Sequence, residues 1–389
     1  MKRNILVLFV IMTLLLAACG AQASEPAEAA AQQNEATQEE SAEVAADQEE
    51  AASEEAAATE EVDPIKLALQ LADKAAHGEN AEFEGGSGIT VGVVMPQLDN
   101  DGWRAAYIGA LSQAIEMDVS VITLDARNNV DTQTSMIQDL ITKQVDAIVF
   151  VPVDSAAMST AVIQANEAGI PVVTMDRSTE GGDVVALVES NNVEIGAMGA
   201  QLLKEAAEKN GLALEDLNVL ELLGDLATSA GQERHEGFSG NAAELGVPVG
   251  AELPTYWDSE KANAAVLDGF QANPDINAIY MASGCAMYSG VESALRSMDK
   301  FKEVGEEGHI ILISTDGCPA PIDGIRQGYV DADSAQQLVV MGQTAVEIGV
   351  NAVNGTMPES SVVRLGPDPT TSDNIDEMNH WANQLAIEY

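Results

Sequence analysis

Downstream of residue 88 the apolar positions switch between two periods. Short β-branched runs at 89–95, 119–124, 147–151, 171–175 and 184–188 read as strands, and between the first four lie stretches with apolar residues at helical spacing, 103–117, 131–143 and 156–168. Strand and helix alternating at this interval predict right-handed βαβ units, hence a parallel sheet with helices on both faces. The pattern then begins again, with helices expected at 193–208, 228–243, 259–271 and 287–298 and strands at 218–223, 247–256, 277–282 and 309–314. A short helix, a strand at 329–334, a helix at 339–354, a strand at 362–365 and a last helix at 373–389 complete it. Two α/β lobes in one chain leave a cleft between them, a favoured place for a small-molecule site.

Upstream the patterning differs. Residues 64–83 read as a helix opened by Asp63 as cap and Pro64 as first residue, followed by a flexible joint at Gly85, Gly86 and Gly88. Residues 1–19 combine a basic start (Lys2, Arg3), an apolar run and small residues, the layout of an export signal. Their ending, Leu16-Ala17-Ala18-Cys19, resembles the lipobox of bacterial lipoproteins, in which Cys19 carries the lipid after cleavage; an ordinary cleaved secretory signal is the alternative. Residues 20–63 hold 14 acids, no Lys or Arg and few large apolar side chains. Such a segment cannot offset its ordering entropy by burial, so a disordered acidic tether is expected.

Charge narrows the partners. Residues 64–389 keep 49 acids against 15 Lys or Arg, a net charge of −34 with no basic patch, which argues against nucleic acid. No metal or cofactor site is expected: His235 reads as part of a solvated helix face, and no other histidine stands at a ligand spacing from it. Cys285 and Cys318 each follow a strand of the second lobe, and either bond or remain buried free thiols.

The sharpest chemical signal is the run Ile170 to Met175, a buried strand that ends on Asp176 and Arg177. Ligands of open α/β sheets bind at carboxyl ends of strands. A rigid guanidinium fork beside a carboxylate supplies both donors and acceptors for vicinal hydroxyls, although such a pair also occurs as a plain surface bridge. Further along stand Asp99-Asn100 with Trp103, Leu124-Asp125-Ala126-Arg127-Asn128-Asn129, Val151-Pro152-Val153-Asp154, Thr228 to Phe238, Tyr256-Trp257-Asp258, Thr315-Asp316-Gly317 and Gln336.

In their order and spacing these residues resemble the ribose- and galactose-type sugar-binding proteins of ABC importers, the type I periplasmic binding proteins, over roughly residues 89–365. The resemblance implies two Rossmann-like lobes joined by a three-segment hinge. Its crossings are expected near Asn191-Asn192, near Gln336 and near 356–359. One lobe then comprises 89–191 with 338–356, and the other 192–337 with 357–389. It also implies sugar contacts from Asp99, Asn100, Trp103, Asn129, Asp176, Arg177, Gln232, Trp257, Asp316 and Gln336. Asp125 and Asp154 read better as helix caps. The family's second-lobe arginine falls on Gln232 in the simplest alignment, with Arg234 two residues later and expected on another face of the helix. Gly284 replaces a family Asn.

Three acids and one arginine in the cleft then favour a neutral monosaccharide or polyol over anionic ligands. Trp103 and Trp257, from opposite lobes, are expected to sandwich its ring. The function implied is capture of the sugar by a monomeric, lipid-anchored protein and delivery to an ABC permease. A sensory binding protein reporting to a chemoreceptor or kinase is an alternative, and a glycosidase using two cleft carboxylates a remote one. A sugar-responsive transcription regulator needs a helix-turn-helix ahead of the core, where this chain has a signal and a tether.

Overall fold

The computed structural model describes residues 63–77, 81–377 and 380–386. The expected export signal with Cys19, and the expected tether up to residue 62, lie outside them. Five strands of the first lobe follow the expected alternation, β2 (Thr90–Met95), β3 (Ser120–Asp125), β4 (Ala147–Phe150), β5 (Val172–Met175) and β6 (Ala186–Ser190), preceded by an unexpected two-residue β1 (Glu82–Phe83). With β12 (Val362–Leu365) they form one sheet in the order β1-β3-β2-β4-β5-β6-β12, parallel throughout except for β1. The second sheet takes β7 (Val219–Leu223), β8 (Val249–Pro254), β9 (Ala278–Met281), β10 (Ile311–Asp316), β11 (Ala332–Ala335) and β13 (Asp368–Thr371) in the order β13-β11-β10-β9-β7-β8. Here only β13 runs antiparallel.

Strands buried on both faces explain the near-continuous apolar runs read from the sequence. In β2, Val91, Val93 and Met95 face one apolar cluster while Val94 faces another. The second lobe gathers a single larger cluster around Val219, Leu220, Leu222, Ile279, Tyr280, Ile311 and Ile313.

The helices are α1 (Pro64–Ala76), α2 (Asp101–Glu116), α3 (Val130–Lys143), α4 (Ser159–Glu167), α5 (Asn192–Lys209), α6 (Ser229–Leu245), α7 (Ser259–Ala272), α8 (Gly284–Ser297), α9 (Pro319–Arg326), α10 (Leu338–Val353) and α11 (Trp381–Leu385). In each lobe helices come into close backbone approach. On α2 a Cβ at Gly109 would lie 2.0 Å from the Val339 carbonyl oxygen of α10, and on α5 a Cβ at Gly196 would lie 2.1 Å from the Arg234 carbonyl oxygen of α6. The second approach fixes how α6 lies beside its sheet, and with it where Arg234 points.

The chain crosses between lobes three times. Two crossings fall where expected, after β6 at Asn191 and after β11 at Gln336 and Gln337. The third does not. Val362, Val363 and Leu365 extend the edge of β6 in the first sheet, so part of 357–389 belongs to the first lobe and the crossing moves from 356–359 to Gly366 and Pro367. Asn191 N–H donates to the Leu365 carbonyl at 2.8 Å, and Gln337 Nε2 donates to the Gly366 carbonyl at 3.1 Å, tying the crossings to one another.

Two predicted helices are shorter than expected. Asp63 caps α1 through Ile65 and Lys66 N–H, as read, but the helix ends at Ala76 and Glu82–Phe83 pair with β3 instead. The glycines beyond are not a free joint: Gly86 N–H donates to Asp118 Oδ1 at 2.8 Å. The helix expected over 373–389 is limited to Trp381–Leu385 among the described residues. Asn374 accepts from Thr371 N–H and donates to the Pro369 carbonyl, both at 2.8 Å, a side-chain-to-backbone turn that occupies the place of the expected first helical turn.

Candidate functional site

The carboxyl ends of the two sheets carry most of the chemistry. Non-glycine residues with left-handed backbone concentrate there: Arg127 and Asn128 after β3, Asp176 after β5, Tyr256 and Trp257 after β8, and Asp316 at the end of β10, with φ between 49° and 91°. Such backbone costs on the order of 1 kcal/mol or more per residue and persists only where the surroundings hold it.

In the first lobe, Asn100 caps α2 by accepting from Trp103 N–H at 3.1 Å, which sets the tryptophan at the first turn of that helix. Arg177 lies with its guanidinium carbon 5.5 Å from the Trp103 ring centroid and donates from Nε to Asp176 Oδ2 at 3.2 Å. The side chains of Arg177 and Asp176 remain 43% and 34% exposed, so this pair faces open space rather than the core. Desolvation pushes the Asp176 pKa upward against the pull of Arg177 and of Arg234, while Asp316 adds to the push. Arg234 and Asp316 belong to the second lobe.

That wall is organised around Arg234. Its Nε donates to Asn192 Oδ1 at 2.9 Å, and its Nη1 donates both to the Ala282 carbonyl and to Asp316 Oδ1, each at 2.7 Å. The guanidinium also lies 5.8 Å from the Trp257 ring centroid. Asp316 accepts further from Gln336 Nε2 at 2.8 Å and from the Ser283 hydroxyl. Gln336 in turn accepts at Oε1 from the Ser190 hydroxyl at 2.7 Å, so one chain of hydrogen bonds runs from the end of β6 across the hinge to Asp316. Trp257 packs the outer edge of its six-membered ring against Gly224, where a Cβ would come within 2.0 Å of it.

Of the residues singled out from sequence, the fold thus brings Trp103, Asp176 and Arg177 to one wall and Trp257, Asp316 and Gln336 to the other. Asp99 and Asn100 sit exposed at the mouth of α2, with the Asn100 side chain engaged in capping. Asn129 caps α3 through Thr132 N–H at 2.8 Å. Gln232 is not brought to the cluster: it is exposed and donates from Nε2 to the Leu226 carbonyl at 2.7 Å. The reason is helical phase. Gly231, Arg234, Gly237 and Phe238 form the buried face of α6, and Gln232 falls off it. The arginine expected to be displaced is therefore the one that reaches inward, and the Gly237-Phe238 pair three and four residues after it was the signal that would have given the phase.

His235 departs from expectation too. Instead of a solvated face it places Nδ1 3.0 Å from Oε1 of Glu221, whose side chain is wholly buried on β7. Burial pushes the Glu221 carboxyl up to about 7, with His235 pulling the other way. Asp154 accepts from Ala157 N–H at 2.7 Å and Asp125 from Arg127 N–H at 2.9 Å, so each closes a local turn instead of capping the next helix, where Met158 and Asn129 hold the cap positions. Cys285 and Cys318 are bonded, with Cα atoms 5.4 Å apart.

Ser190 and Ser283 join the cluster without having been singled out, and Asn192, read only as a hinge crossing, joins them. Behind Asp316 lies Asp333 on β11, completely buried, with both carboxylate oxygens unpartnered beside Ser314 and Gly317. Burial pushes its pKa from 3.8 to about 7, and Asp316 adds to the push. The folded state therefore keeps this proton at pH values where the unfolded chain has released it, and stability falls as pH rises from about 4 to about 7. Asp333→Asn is expected to raise the melting temperature by several degrees at pH 8 and to change it little at pH 4. Circular-dichroism melts check this, and an equal shift at both pH values would contradict it.

A depression of about 640 Å³ lined by Val145, Asp146, Ile170, Pro171 and Met357 opens at the amino ends of the first sheet's strands. None of the cluster described above lines it, and this is the end of an open α/β sheet at which ligands do not usually bind.

Residues 91–357 match the family described as the periplasmic binding protein domain. The ribose import binding protein of Bacillus subtilis is 31% identical over 293 residues, spanning 75% of this chain and 89% of that protein. The D-allose-binding periplasmic protein of Escherichia coli is 27% identical over 270 residues, spanning 67% and 83%. Among solved structures, a periplasmic solute-binding protein of Actinobacillus succinogenes with bound D-allose aligns with a TM-score of 0.63 at 24% identity, covering 74% of this chain and 99% of that one. The solute-binding protein of Bacillus halodurans with bound myo-inositol aligns with a TM-score of 0.60 at 22% identity, covering 77% and 99%. Two parallel-sheet lobes, a triple crossing and a family match over most of the described chain lead to one assignment: the chain belongs to the periplasmic binding protein family.

Proposed function

We propose that this protein captures a neutral monosaccharide or polyol between its two lobes and delivers it to an ABC import permease, held at the outer face of the membrane by a lipid on Cys19. The observation that carries this reading is that the strand exits of both lobes present charged pairs beside a tryptophan, Asp176 and Arg177 with Trp103 on one and Arg234 and Asp316 with Trp257 on the other. A ligand that touches both walls stabilises the closed arrangement over the open one, which is the physical basis of capture by hinge closure. The names of the relatives, which bind ribose and D-allose, support a sugar.

Arg234 joins Arg177, so two guanidiniums stand against Asp176 and Asp316, with Asp99 exposed at the rim. These inner charges cancel, leaving no excess of either sign for a phosphate or carboxylate ligand to pair with. Sugar hydroxyls donate and accept at once, matching carboxylates, guanidiniums and the Gln336 amide. The ring faces suit Trp103 and Trp257, which the fold presents from opposite lobes.

Isothermal titration against pentoses, hexoses and inositols, with sugar phosphates alongside, tests the proposal. One or a few neutral ligands are expected to bind with a Kd of about 1 μM or tighter. Binding confined to the phosphorylated compounds, or to none of the panel, would refute it.

A further inference from the structure

The strand exits after β9 and β10 converge on Asp316, and a covalent link joins them beside it. Ser283 caps α8, Gly284 and Cys285 follow, and Cys285 is bonded to Cys318, two residues beyond Asp316. The Ser283 hydroxyl works in both directions, donating to Asp316 Oδ2 and accepting from Ala286 N–H at 3.2 Å. The two exits touch closely between these points: a Cβ at Gly284 would lie 2.0 Å from Ser314 Oγ and 2.8 Å from the Thr315 carbonyl oxygen. Asp316 and Gly317 both have left-handed backbone, with φ of 91° and 82°. An aspartate in that conformation stays there only if its surroundings fix it. The Trp381 indole N–H helps by donating to the Asp316 carbonyl at 2.9 Å. Cys318 is buried against the same tryptophan's cluster, whereas Cys285 is exposed to solvent.

We propose that the Cys285–Cys318 disulfide is a positioning element of the ligand site, holding the Ser283 and Asp316 exits together so that Asp316 meets Arg234 and Gln336 in the geometry the ligand needs. The proposal rests on the sugar-binding reading for its affinity consequence but not for its structural one. The bond links two segments that each carry a side chain of the cluster and whose cysteines are otherwise 33 positions apart along the chain. Pre-organised sites lose affinity when their supporting contacts loosen, because the ligand must then order them. Exposure of Cys285 leaves the bond open to reductants. A phosphine attacks one sulfur, and with water the products are two protein thiols and the phosphine oxide.

The test compares the full chain before and after phosphine reduction. Thiol titration verifies that two thiols appear, and far-ultraviolet circular dichroism that the fold persists. Affinity for the sugar found by titration is expected to weaken by about tenfold or more. The double variant Cys285→Ala with Cys318→Ala is expected to show the same loss and no further response to reductant. In the ligand-free protein, amide exchange at residues 284–287 and 316–322 is expected to accelerate while the first lobe stays unchanged, a readout that requires no ligand. Equal affinity with both thiols free, or unchanged exchange at those residues, would overturn the proposal. Unfolding of the whole chain on reduction would also overturn it, by making the bond a general staple. If the oxidised protein binds no sugar at all, the sugar-binding reading falls, and exchange alone still decides the positioning role.

Discussion

Arg234→Ala is expected to abolish sugar binding and to lower the stability of the unliganded protein. The side chain is only 7% exposed and makes three hydrogen bonds, to Asn192, to the Ala282 carbonyl and to Asp316. Removing it leaves the 7%-exposed Asp316 carboxylate with Gln336 and Ser283 but without a counter-charge. Breaking a buried ion pair by deleting one partner costs about 3–5 kcal/mol, mostly the penalty of the charge left behind. The lower end applies here, because Asp316 retains two donors. Denaturant unfolding of the ligand-free variant measures the stability loss, and titration the affinity. An Arg234→Ala protein that binds within a fewfold of the wild-type affinity would remove this arginine from the site.

Arg177→Ala is expected to abolish binding just as completely while leaving the unliganded melting temperature nearly unchanged. The contrast follows from exposure. Arg177 and Asp176 meet at 3.2 Å with 43% and 34% of their side chains exposed, and exposed ion pairs contribute about 0–1 kcal/mol. The guanidinium is held over Trp103 more as a presented group than as a structural one. Loss of stability without loss of affinity would reverse the assignment and return the pair to a surface bridge. Together the two variants separate a site residue that also organises its lobe from one that serves ligand alone.

What the chain disclosed before any coordinates tracks the strength of local signals. Buried parallel strands announce themselves as β-branched runs, so the strands 90–95, 147–150 and 172–175 were readable nearly to the residue. Asp176-Arg177 was readable because it ends such a run. The errors arose where a tertiary partner decides the outcome. Val362 to Leu365 is a strand in either lobe as far as sequence goes, and only its pairing with Leu187 to Ser190 puts it in the first sheet. Phase along α6 decided between Gln232 and Arg234, and one hundred degrees per residue is easily lost in a helix with small residues on several sides. His235 looked solvated because its buried partner, Glu221, lies fourteen residues earlier on a strand. The disulfide was readable only as a possibility, since it depends on β9 and β10 being neighbours, as they are.

Engagement of both lobes by one ligand at the strand exits is tested by a crystal structure of the complex with the tightest-binding sugar. A single sugar is expected between Trp103 and Trp257, with hydroxyls in hydrogen-bond contact with Asp176 and Arg177 on one side and with Arg234 or Asp316 on the other. A sugar seated elsewhere, for example in the depression beside Pro171 and Met357, or one that touches a single lobe, would contradict it.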